Sequence, residues 1–337
     1  MQSSGTYSYN PHFSHIYVER EALDYPDTKA VLDKFSSAEI VTIDHYKDVF
    51  SRSGQEWRAQ KKSQKLILAV RRDKFLYEGT DIAPDFGNRR FFYNALVLNC
   101  LYDCEYCYLQ GMFPSANAVM FVNNHDYFKA VNRELTNGSM YLAISYDTDL
   151  LGFESIIPDG KRWIEFARDK TDLTVELRTK SANYRAISSL QPPENVVLAW
   201  TLSPAEIGKK HEPKTPPLRS RLQAVKKALK DGWPVRLCFD PLLRVPNWRE
   251  HYGGMIDKTA DEISLHEIRD FSVGVFRMSS HFLREMRKQR SDTELLYYPY
   301  ETKNGVVTYP DEAKNEMEHY VLERLSKKVN PEKIDLL

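Results

Sequence analysis

Three of the four cysteines in this chain lie within one short segment. Cys100, Cys104 and Cys107 follow the spacing C-x3-C-x2-C, whereas Cys238 lies far along the chain. Three close thiols are compatible with a redox-inert loop, with a zinc site completed by Cys238 or a histidine, or with an iron–sulfur cluster. A structural zinc site usually has four protein ligands in two pairs, and the second pair is missing. Three thiolates fit a [4Fe–4S] cluster in which one iron stays open for another ligand.

The composition excludes several classes of protein. Hydrophobic residues make up 42% of the chain and charged residues 28%, as in ordinary globular proteins. The 47 Lys and Arg residues balance the 47 Asp and Glu residues, so there is no overall basic field for nucleic acid, although a local basic face is compatible with this balance. No apolar run could span a bilayer and the first residues do not form a signal peptide, so we expect a cytoplasmic protein without disulfides.

The elements that must position the cysteines alternate between strands and helices after residue 90. Six apolar segments with helices between them predict a parallel α/β architecture, with strands at 95–98, 140–144, 174–178, 195–201, 235–239 and 272–276. In such folds functional groups gather at the carboxyl ends of the strands. Besides the cysteine loop (residues 100–110), this rule selects Ser145 to Asp149, Thr179 to Ser181, Thr201, Asp240 and Arg277 to Ser280.

The whole chain divides into four predicted parts. We expect a disordered tail at 1–14, a small N-terminal α/β layer at 15–90, the parallel α/β part at 91–290, and a C-terminal hairpin with a final helix at 291–337. Asn304-Gly305 between two aromatic and β-branched segments predicts the hairpin. In the N-terminal layer, the basic run from Arg58 to Lys65 predicts a solvated face, with contact to nucleic acid as the alternative.

The cysteine spacing resembles the signature of the radical SAM superfamily, and its flanks resemble one family within it. The sequence Cys-x-Tyr-Cys-Tyr-Leu-Gln around Cys107 is similar to the cluster loop of spore photoproduct lyases, as are the segments 16–26, 62–71 and 149–152. The resemblance implies a partial parallel (β/α)6 radical SAM barrel. It also implies a radical SAM carbon–carbon lyase in DNA repair, in which a 5'-deoxyadenosyl radical abstracts hydrogen from a thymine dimer and the linking bond fragments.

The resemblance also implies roles for individual residues. Cys100, Cys104 and Cys107 would hold the [4Fe–4S] cluster, and Tyr106 and Tyr108 would lie beside the cofactor. Contacts to S-adenosyl-L-methionine would come from Tyr106, Thr148, Asp149, Lys180 and Thr201. The implied partners are DNA carrying a thymine lesion and an electron donor such as flavodoxin or ferredoxin, and we expect a monomer that does not bind membranes.

The chain departs from the family where a cysteine returns a hydrogen atom to the repaired thymine. Tyr146 holds the place of that cysteine, in the segment Ser145-Tyr146-Asp147-Thr148-Asp149. A tyrosine O–H bond is harder to break than an S–H bond, so the exchange is not neutral. Cys238 is the other candidate donor, although a buried core cysteine is the more ordinary role for a thiol inside a strand.

The C-terminal hairpin departs as well, because it keeps aromatic residues but lacks the arginines of the family. Phosphate affinity depends on the number of cations that meet the backbone, so the helix after residue 280 would have to supply them through Arg284, Arg287, Lys288 and Arg290. Three hypotheses therefore stay open. The chain is a lesion-repair lyase, a family relative that acts as a radical SAM enzyme on a different substrate, or a non-catalytic binding or zinc-stapled protein.

Replacing one cysteine tests the cluster hypothesis. Cys104→Ala should abolish the cluster absorbance and all cleavage of S-adenosylmethionine, because two thiolates do not replace three as ligands. Both are measured on anaerobically reconstituted protein, with Cys238→Ala as the control that keeps the loop intact. Cleavage that survives in Cys104→Ala would refute the motif assignment.

Overall fold

The computed structural model describes residues 11–79 and 83–337. The strands are β1 (His15–Glu19), β2 (Glu39–Ile43), β3 (Leu66–Ala69), β4 (Tyr77–Glu78), β5 (Phe91–Tyr93), β6 (Val97–Leu98), β7 (Ala118–Phe121), β8 (Met140–Ala143), β9 (Leu173–Thr179), β10 (Val196–Thr201), β11 (Val235–Leu242), β12 (Asp270–Val275), β13 (Arg277–Ser279), β14 (Glu301–Lys303), β15 (Val306–Thr308) and β16 (Ile334–Leu336). The helices are α1 (Pro26–Lys34), α2 (Lys47–Phe50), α3 (Trp57–Lys62), α4 (Leu109–Met112), α5 (Asn124–Leu135), α6 (Leu150–Phe153), α7 (Asp159–Ala167), α8 (Ala205–His211), α9 (Leu218–Lys230), α10 (Trp248–Glu262), α11 (Ser280–Gln289) and α12 (Asp311–Ser326).

The N-terminal part forms a five-stranded sheet in the order β2-β1-β3-β7-β6. The first four strands are parallel and β6 is antiparallel. All residues of β3 and β7 are buried, as expected for parallel strands covered on both faces. Phe13, at the end of the tail predicted for residues 1–14, is buried and packs against the ring of Phe35. Residues 1–10 of that predicted tail lie outside the described residues.

A second sheet of eight strands carries the predicted alternation, in the order β16-β12-β11-β10-β9-β8-β5-β4. Its strands are parallel except for β4 at the edge. The sheet is curled, since Arg236 on β11 donates a hydrogen bond across the concave face to the Tyr141 hydroxyl on β8 (2.9 Å). Helices α6, α7 and α9 pack on the sheet. The parallel half-barrel predicted for the chain is therefore confirmed.

The first strand of the half-barrel is not the one that the sequence predicts. The segment 95–98 was assigned to the barrel, but β5 occupies that place and β6 pairs with β7 in the five-stranded sheet. The chain leaves the barrel at Asn94, whose side chain accepts from the Ser145 backbone N–H (2.7 Å). An apolar segment buried between two sheets carries no periodicity that identifies its partner strand. The boundary at residue 90 stays a prediction, although the five-stranded sheet takes strands from both sides of it.

The C-terminal hairpin forms around the predicted turn, but its first strand starts later. Asn304 and Gly305 both have positive φ, 50° and 79°, as a type I′ turn requires. They connect β14 and β15, and β13 adds a third strand. Residues 294–297 form a 3-10 turn instead of a strand, because it buries both Leu295 and Leu296, whereas a strand would point them to opposite faces.

Helix α11, which contains many basic residues, packs directly on α4, the helix that follows the cysteines. A Cβ atom added to Gly111 of α4 would lie 2.6 Å from the Cα atom of Phe282 in α11. Arg290 is buried and donates to Gln110 and Asp103. The expectation that Arg290 reaches DNA phosphates is therefore wrong, because its guanidinium is used to hold α11 on the cysteine loop.

Two glycine substitutions test this close packing. Gly111→Ala should lower the free energy of unfolding by about 1–3 kcal/mol, because backbone atoms of α11 must move to admit the methyl group. Gly254→Ala is the matched control in an open position of α10, and it should be neutral or stabilising by up to about 1 kcal/mol. Urea unfolding measures both variants. Equal free energies of unfolding for the two variants would show that the packing of α11 on α4 does not require a glycine at position 111.

Candidate active site

The cysteine loop begins with a turn that the neighbouring segments fix. Asn99 has a φ of 67°, and its amide donates to the carbonyls of Ser115 (2.6 Å) and Asn117 (2.8 Å). The Thr148 hydroxyl, in the segment between β8 and α6, donates to the carbonyl of Asn99 (2.7 Å). Thr148 thus connects the start of the loop to the barrel, whereas its predicted contact to a cofactor stays a prediction.

The three thiols are free, with Cys104 buried and its two neighbours half-buried. Burial raises the pKa of the Cys100 thiol to about 12, and the charge of Lys61 acts against this rise. Burial likewise raises the pKa of Cys104 and Cys107, and the Lys180 charge opposes both shifts. Two lysine ammonium groups therefore favour thiolates in this loop.

Lys61 is not part of a solvated face, contrary to the prediction for the basic run. Only 3% of the residue is exposed, and its ammonium group donates to the carbonyls of Cys100 and Tyr102, the latter at 2.8 Å. The lysine adopts this position because α3 packs on the cysteine loop, where unpaired loop carbonyls need donors. Sequence reasoning missed this residue, since charge alone does not reveal burial.

The donor set fits a thiolate-bound cluster better than a single ion. Within residues 11–79 and 83–337, no three His, Cys, Asp or Glu side chains converge tightly enough to hold one metal ion. Three thiols from one loop are the ligand set of a [4Fe–4S] cluster with an open iron, and the two lysines match the negative charge of such a group.

Glu212 is the centre of the polar network beside the loop. It is 2% exposed and accepts hydrogen bonds from the hydroxyls of Tyr106 and Ser203 (2.7 Å to Ser203) and from the guanidinium of Arg221. The ammonium group of Lys180 lies 3.6 Å away. Although burial opposes ionisation, the charges of Arg221 and Lys180 hold the pKa of Glu212 well below its usual range. Sequence reasoning assigned no role to Glu212.

Lys180 and Asp149 are joined through the backbone. The Asp149 carboxylate accepts from the Lys180 backbone N–H (2.6 Å), the Thr179 hydroxyl (2.7 Å) and the Gly152 backbone N–H (3.1 Å). The Lys180 ammonium lies 5.1 Å from the ring centroid of Tyr106. Asp149 thus holds Lys180 near the loop, and the contacts predicted from Asp149, Lys180 and Thr201 to a cofactor stay predictions.

Tyr146 lies at the barrel mouth next to the cysteine loop. Ser145 before it has a φ of 53°, and the Tyr146 backbone N–H donates to the Asn94 carbonyl (2.9 Å). The Tyr108 hydroxyl lies 3.2 Å from both the Tyr146 carbonyl and a carboxylate oxygen of Asp147, and the rings of Tyr108 and Tyr146 are 6.3 Å apart. Burial raises the pKa of Tyr146 to about 12, so its phenol keeps its proton at neutral pH.

Cys238 is fully buried on the concave face of the half-barrel, not in the apolar core. It pairs in register with Thr201 on β10 and Ser272 on β12, so its side chain shares a row with Thr201. Burial raises the pKa of its thiol, and the positive charge of Arg178 opposes this rise. The structure brings Cys238 beside one predicted cofactor residue, whereas Tyr146 lies with Tyr108.

The concave face of the half-barrel carries several charged side chains below the carboxyl ends of the strands. Arg236 pairs with Glu176 (2.6 Å) and Asp270 (3.0 Å), and Glu176 also accepts from Arg178 (3.0 Å). Asp240, a predicted strand-end residue, accepts from Arg277, the next predicted strand-end residue (2.9 Å). These pairs fix the strand ends that surround the site.

A curled parallel sheet with three free cysteines in one loop near its first strand is the arrangement of radical SAM enzymes. The family model for spore photoproduct lyase matches residues 9–334. The chain belongs to the spore photoproduct lyase family, and the family assignment from the cysteine loop is confirmed. No helix within the described residues is long and apolar enough to cross a membrane.

Similar proteins include spore photoproduct lyases from other organisms and solved structures of such lyases. The chain is 22% identical to the spore photoproduct lyase of Bacillus subtilis over 72% of its length and 71% of that protein, and 21% identical to that of a Geobacillus species over 76% of both. A cysteine-to-alanine variant of a spore photoproduct lyase, solved with dinucleoside spore photoproduct, matches with a TM-score of 0.83 at 19% identity over 97% of this chain and 99% of that one. A variant with bound AdoMet and the same dinucleoside also gives a TM-score of 0.83, at 20% identity with the same coverage.

The buried carboxyl of Asp147 makes stability depend on pH. Burial raises its pKa from 3.8 to about 6, so the folded state loses stability as the pH rises from about 4 to about 6, by up to about 3 kcal/mol. At pH 8 the Asp147→Asn variant should therefore have a higher free energy of unfolding than wild type. Near pH 4 the two free energies of unfolding should be equal. Urea unfolding across this pH range measures it, and a difference that is independent of pH would contradict the assignment.

Proposed function

We propose that the chain is a radical SAM lyase that repairs spore photoproduct, the methylene-bridged thymine dimer that ultraviolet light forms in DNA. The observation that carries the proposal is the placement of three free thiols, in one loop, beside the buried Lys61 and the half-buried Lys180. The solved relatives that hold AdoMet and dinucleoside spore photoproduct share this fold, which supports the same cofactor and lesion for this chain.

In this proposal Cys100, Cys104 and Cys107 hold the [4Fe–4S] cluster, and S-adenosyl-L-methionine lies against Tyr106, Lys180 and Thr201. The two groups supply, when bound, the radical that abstracts a hydrogen atom from the lesion. Lys180 offers its ammonium group to an anionic carboxylate. Because Tyr106 and Lys180 both contact Glu212, their side chains are oriented before a ligand arrives.

Thr148 and Asp149 act in this proposal chiefly by positioning the loop and Lys180, because the protein already engages their side-chain oxygens. The cluster requires an external one-electron donor, for which a flavodoxin or a ferredoxin is suitable. We infer that a single copy of the chain is sufficient, since one copy supplies all the proposed ligands.

Tyr146 is the proposed hydrogen-atom donor. After the linking carbon–carbon bond breaks, the Tyr146 O–H bond gives its hydrogen atom to the thymine methylene radical, which leaves a thymine methyl group and a tyrosyl radical. Tyr108 lies next to that radical, with its ring 6.3 Å away and its hydroxyl on the Tyr146 carbonyl. Cys238 is the second candidate, since its S–H bond is weaker than the O–H bond of tyrosine and its side chain lies in the row of Thr201.

Two variants separate the donors and test the lyase reaction. Tyr146→Phe should still cleave S-adenosylmethionine and consume dinucleoside spore photoproduct. Most of the consumed lesion should end as abortive adducts, because phenylalanine has no O–H hydrogen atom to donate. Cys238→Ser is the matched control and should still form the thymidine pair. Anaerobic assays with product analysis by mass spectrometry measure both.

The opposite pattern, with abortive products only in Cys238→Ser, would assign the donor to Cys238. Unchanged products in both variants would exclude both residues as donors. A wild-type protein that forms 5'-deoxyadenosine and leaves the lesion intact would contradict the proposed substrate.

A further inference from the structure

Three tyrosines form a row that leads away from the barrel mouth. Tyr146 is 5.3 Å from Tyr93, ring centroid to centroid, and Tyr93 is 5.1 Å from Tyr77, with those two planes within 13° of parallel. Tyr77 and Tyr93 are directly paired across β4 and β5. All three side chains are half-buried. The row therefore connects the proposed hydrogen donor to the edge of the half-barrel.

Cations surround the outer end of this row. Arg71 donates a hydrogen bond to the Tyr77 hydroxyl and lies 5.8 Å from its ring centroid, and the Lys74 ammonium lies 4.9 Å from the same centroid. Arg71 otherwise bonds only to backbone carbonyls, and neither cation has a carboxylate partner in the described part of the chain. Their charges are available to an anionic ligand.

A groove continues from Arg71 to helix α5. Its cavity of about 420 Å³ is lined by four cations, Arg71, Arg72, Lys129 and Arg133, and by one carboxylate, Asp126. Arg72 is already paired with Glu19 and Glu21, and the Lys129 ammonium lies 3.5 Å from the Asp126 carboxylate. Arg133 forms no ion pair within the described residues. A smaller cavity of about 140 Å³ shares Arg71 and Arg72 and adds Lys47 and the carboxylate Asp73.

The groove has a rigid floor at a favourable place in the sheet. It lies beyond the carboxyl end of β3, between residues 70–75 and helix α5, which follows β7. In open α/β sheets ligands bind outside the carboxyl ends of the strands. The buried Glu19 carboxylate fixes its floor by accepting from the backbone N–H groups of Tyr46 (2.7 Å) and Val70 (2.9 Å).

We propose that the tyrosine row and this groove bind the DNA strand on one side of the lesion. Bases next to the lesion contact Tyr93 and Tyr77, and the following phosphates meet Arg71, Lys129 and Arg133. Aromatic rings followed by a cationic groove are the usual means of holding a single strand. The track provides phosphate contacts to a chain that has no net charge and whose Arg290 is buried. The proposal rests on the lyase function proposed above.

Neutralising the far end of the groove tests the track. The double variant Lys129→Gln/Arg133→Gln should bind a single-stranded oligonucleotide with a central lesion about tenfold more weakly at low salt, and the slope of log K against log salt should fall by about 1.4, since two phosphate contacts are lost. Its turnover of the dinucleoside lesion should match wild type, because a dinucleoside does not reach the groove. Lys226→Gln/Lys227→Gln, which removes two exposed cations from α9, is the matched control and should change neither quantity.

A second variant tests the aromatic part. Tyr77→Leu should weaken oligonucleotide binding by about 5- to 10-fold without changing the salt slope, because a stacking contact is lost and no charge is removed.

Equal losses in the groove and control variants, or no loss in either, would overturn the track. Inorganic phosphate or a mononucleotide that competes as strongly as the oligonucleotide would also overturn it, because it would show a small-anion site. Wild-type turnover of the dinucleoside reports on the lyase function separately, so failure of the track and failure of the function are distinguishable.

Discussion

The buried carboxylate of Glu212 is the interaction on which the site depends. It joins Tyr106 of the cysteine loop, Lys180 after β9, Ser203 after β10 and Arg221 of α9. A buried charge is stable only when its partners stay in place, and loss of one partner typically costs about 3–5 kcal/mol. The network therefore forces the loop and two strand ends into one arrangement, and the residues proposed to face the cofactor are set before it binds.

The loop is held from the other parts of the chain as well. Lys61 of the N-terminal layer donates to its carbonyls, and Arg290, at the end of α11, donates to Asp103 and Gln110. The N-terminal sheet, the half-barrel and the C-terminal helices thus meet at the three thiols. In this arrangement Lys61 and Arg290 are used for structure and do not face DNA, and the proposed track on the N-terminal sheet offers phosphate contacts in their place.

Much of this arrangement could be predicted from the sequence, and the exceptions have a common physical cause. The cysteine spacing and the strand–helix alternation are local patterns, so the family and the half-barrel were predicted correctly. Lys61, Arg290 and Glu212 were misjudged or missed, because burial of a charged side chain depends on partners far along the chain. The segment 95–98 was assigned to the wrong sheet for the same reason, since an apolar run between two sheets fits either one.

The most direct test of the account is a single anaerobic turnover experiment. Reconstituted wild-type protein is mixed with dithionite, S-adenosylmethionine and dinucleoside spore photoproduct, and the products are followed by mass spectrometry. The account predicts loss of the lesion and formation of the thymidine pair. Formation of 5'-deoxyadenosine with the lesion intact would contradict it, because the radical chemistry would then work on another substrate.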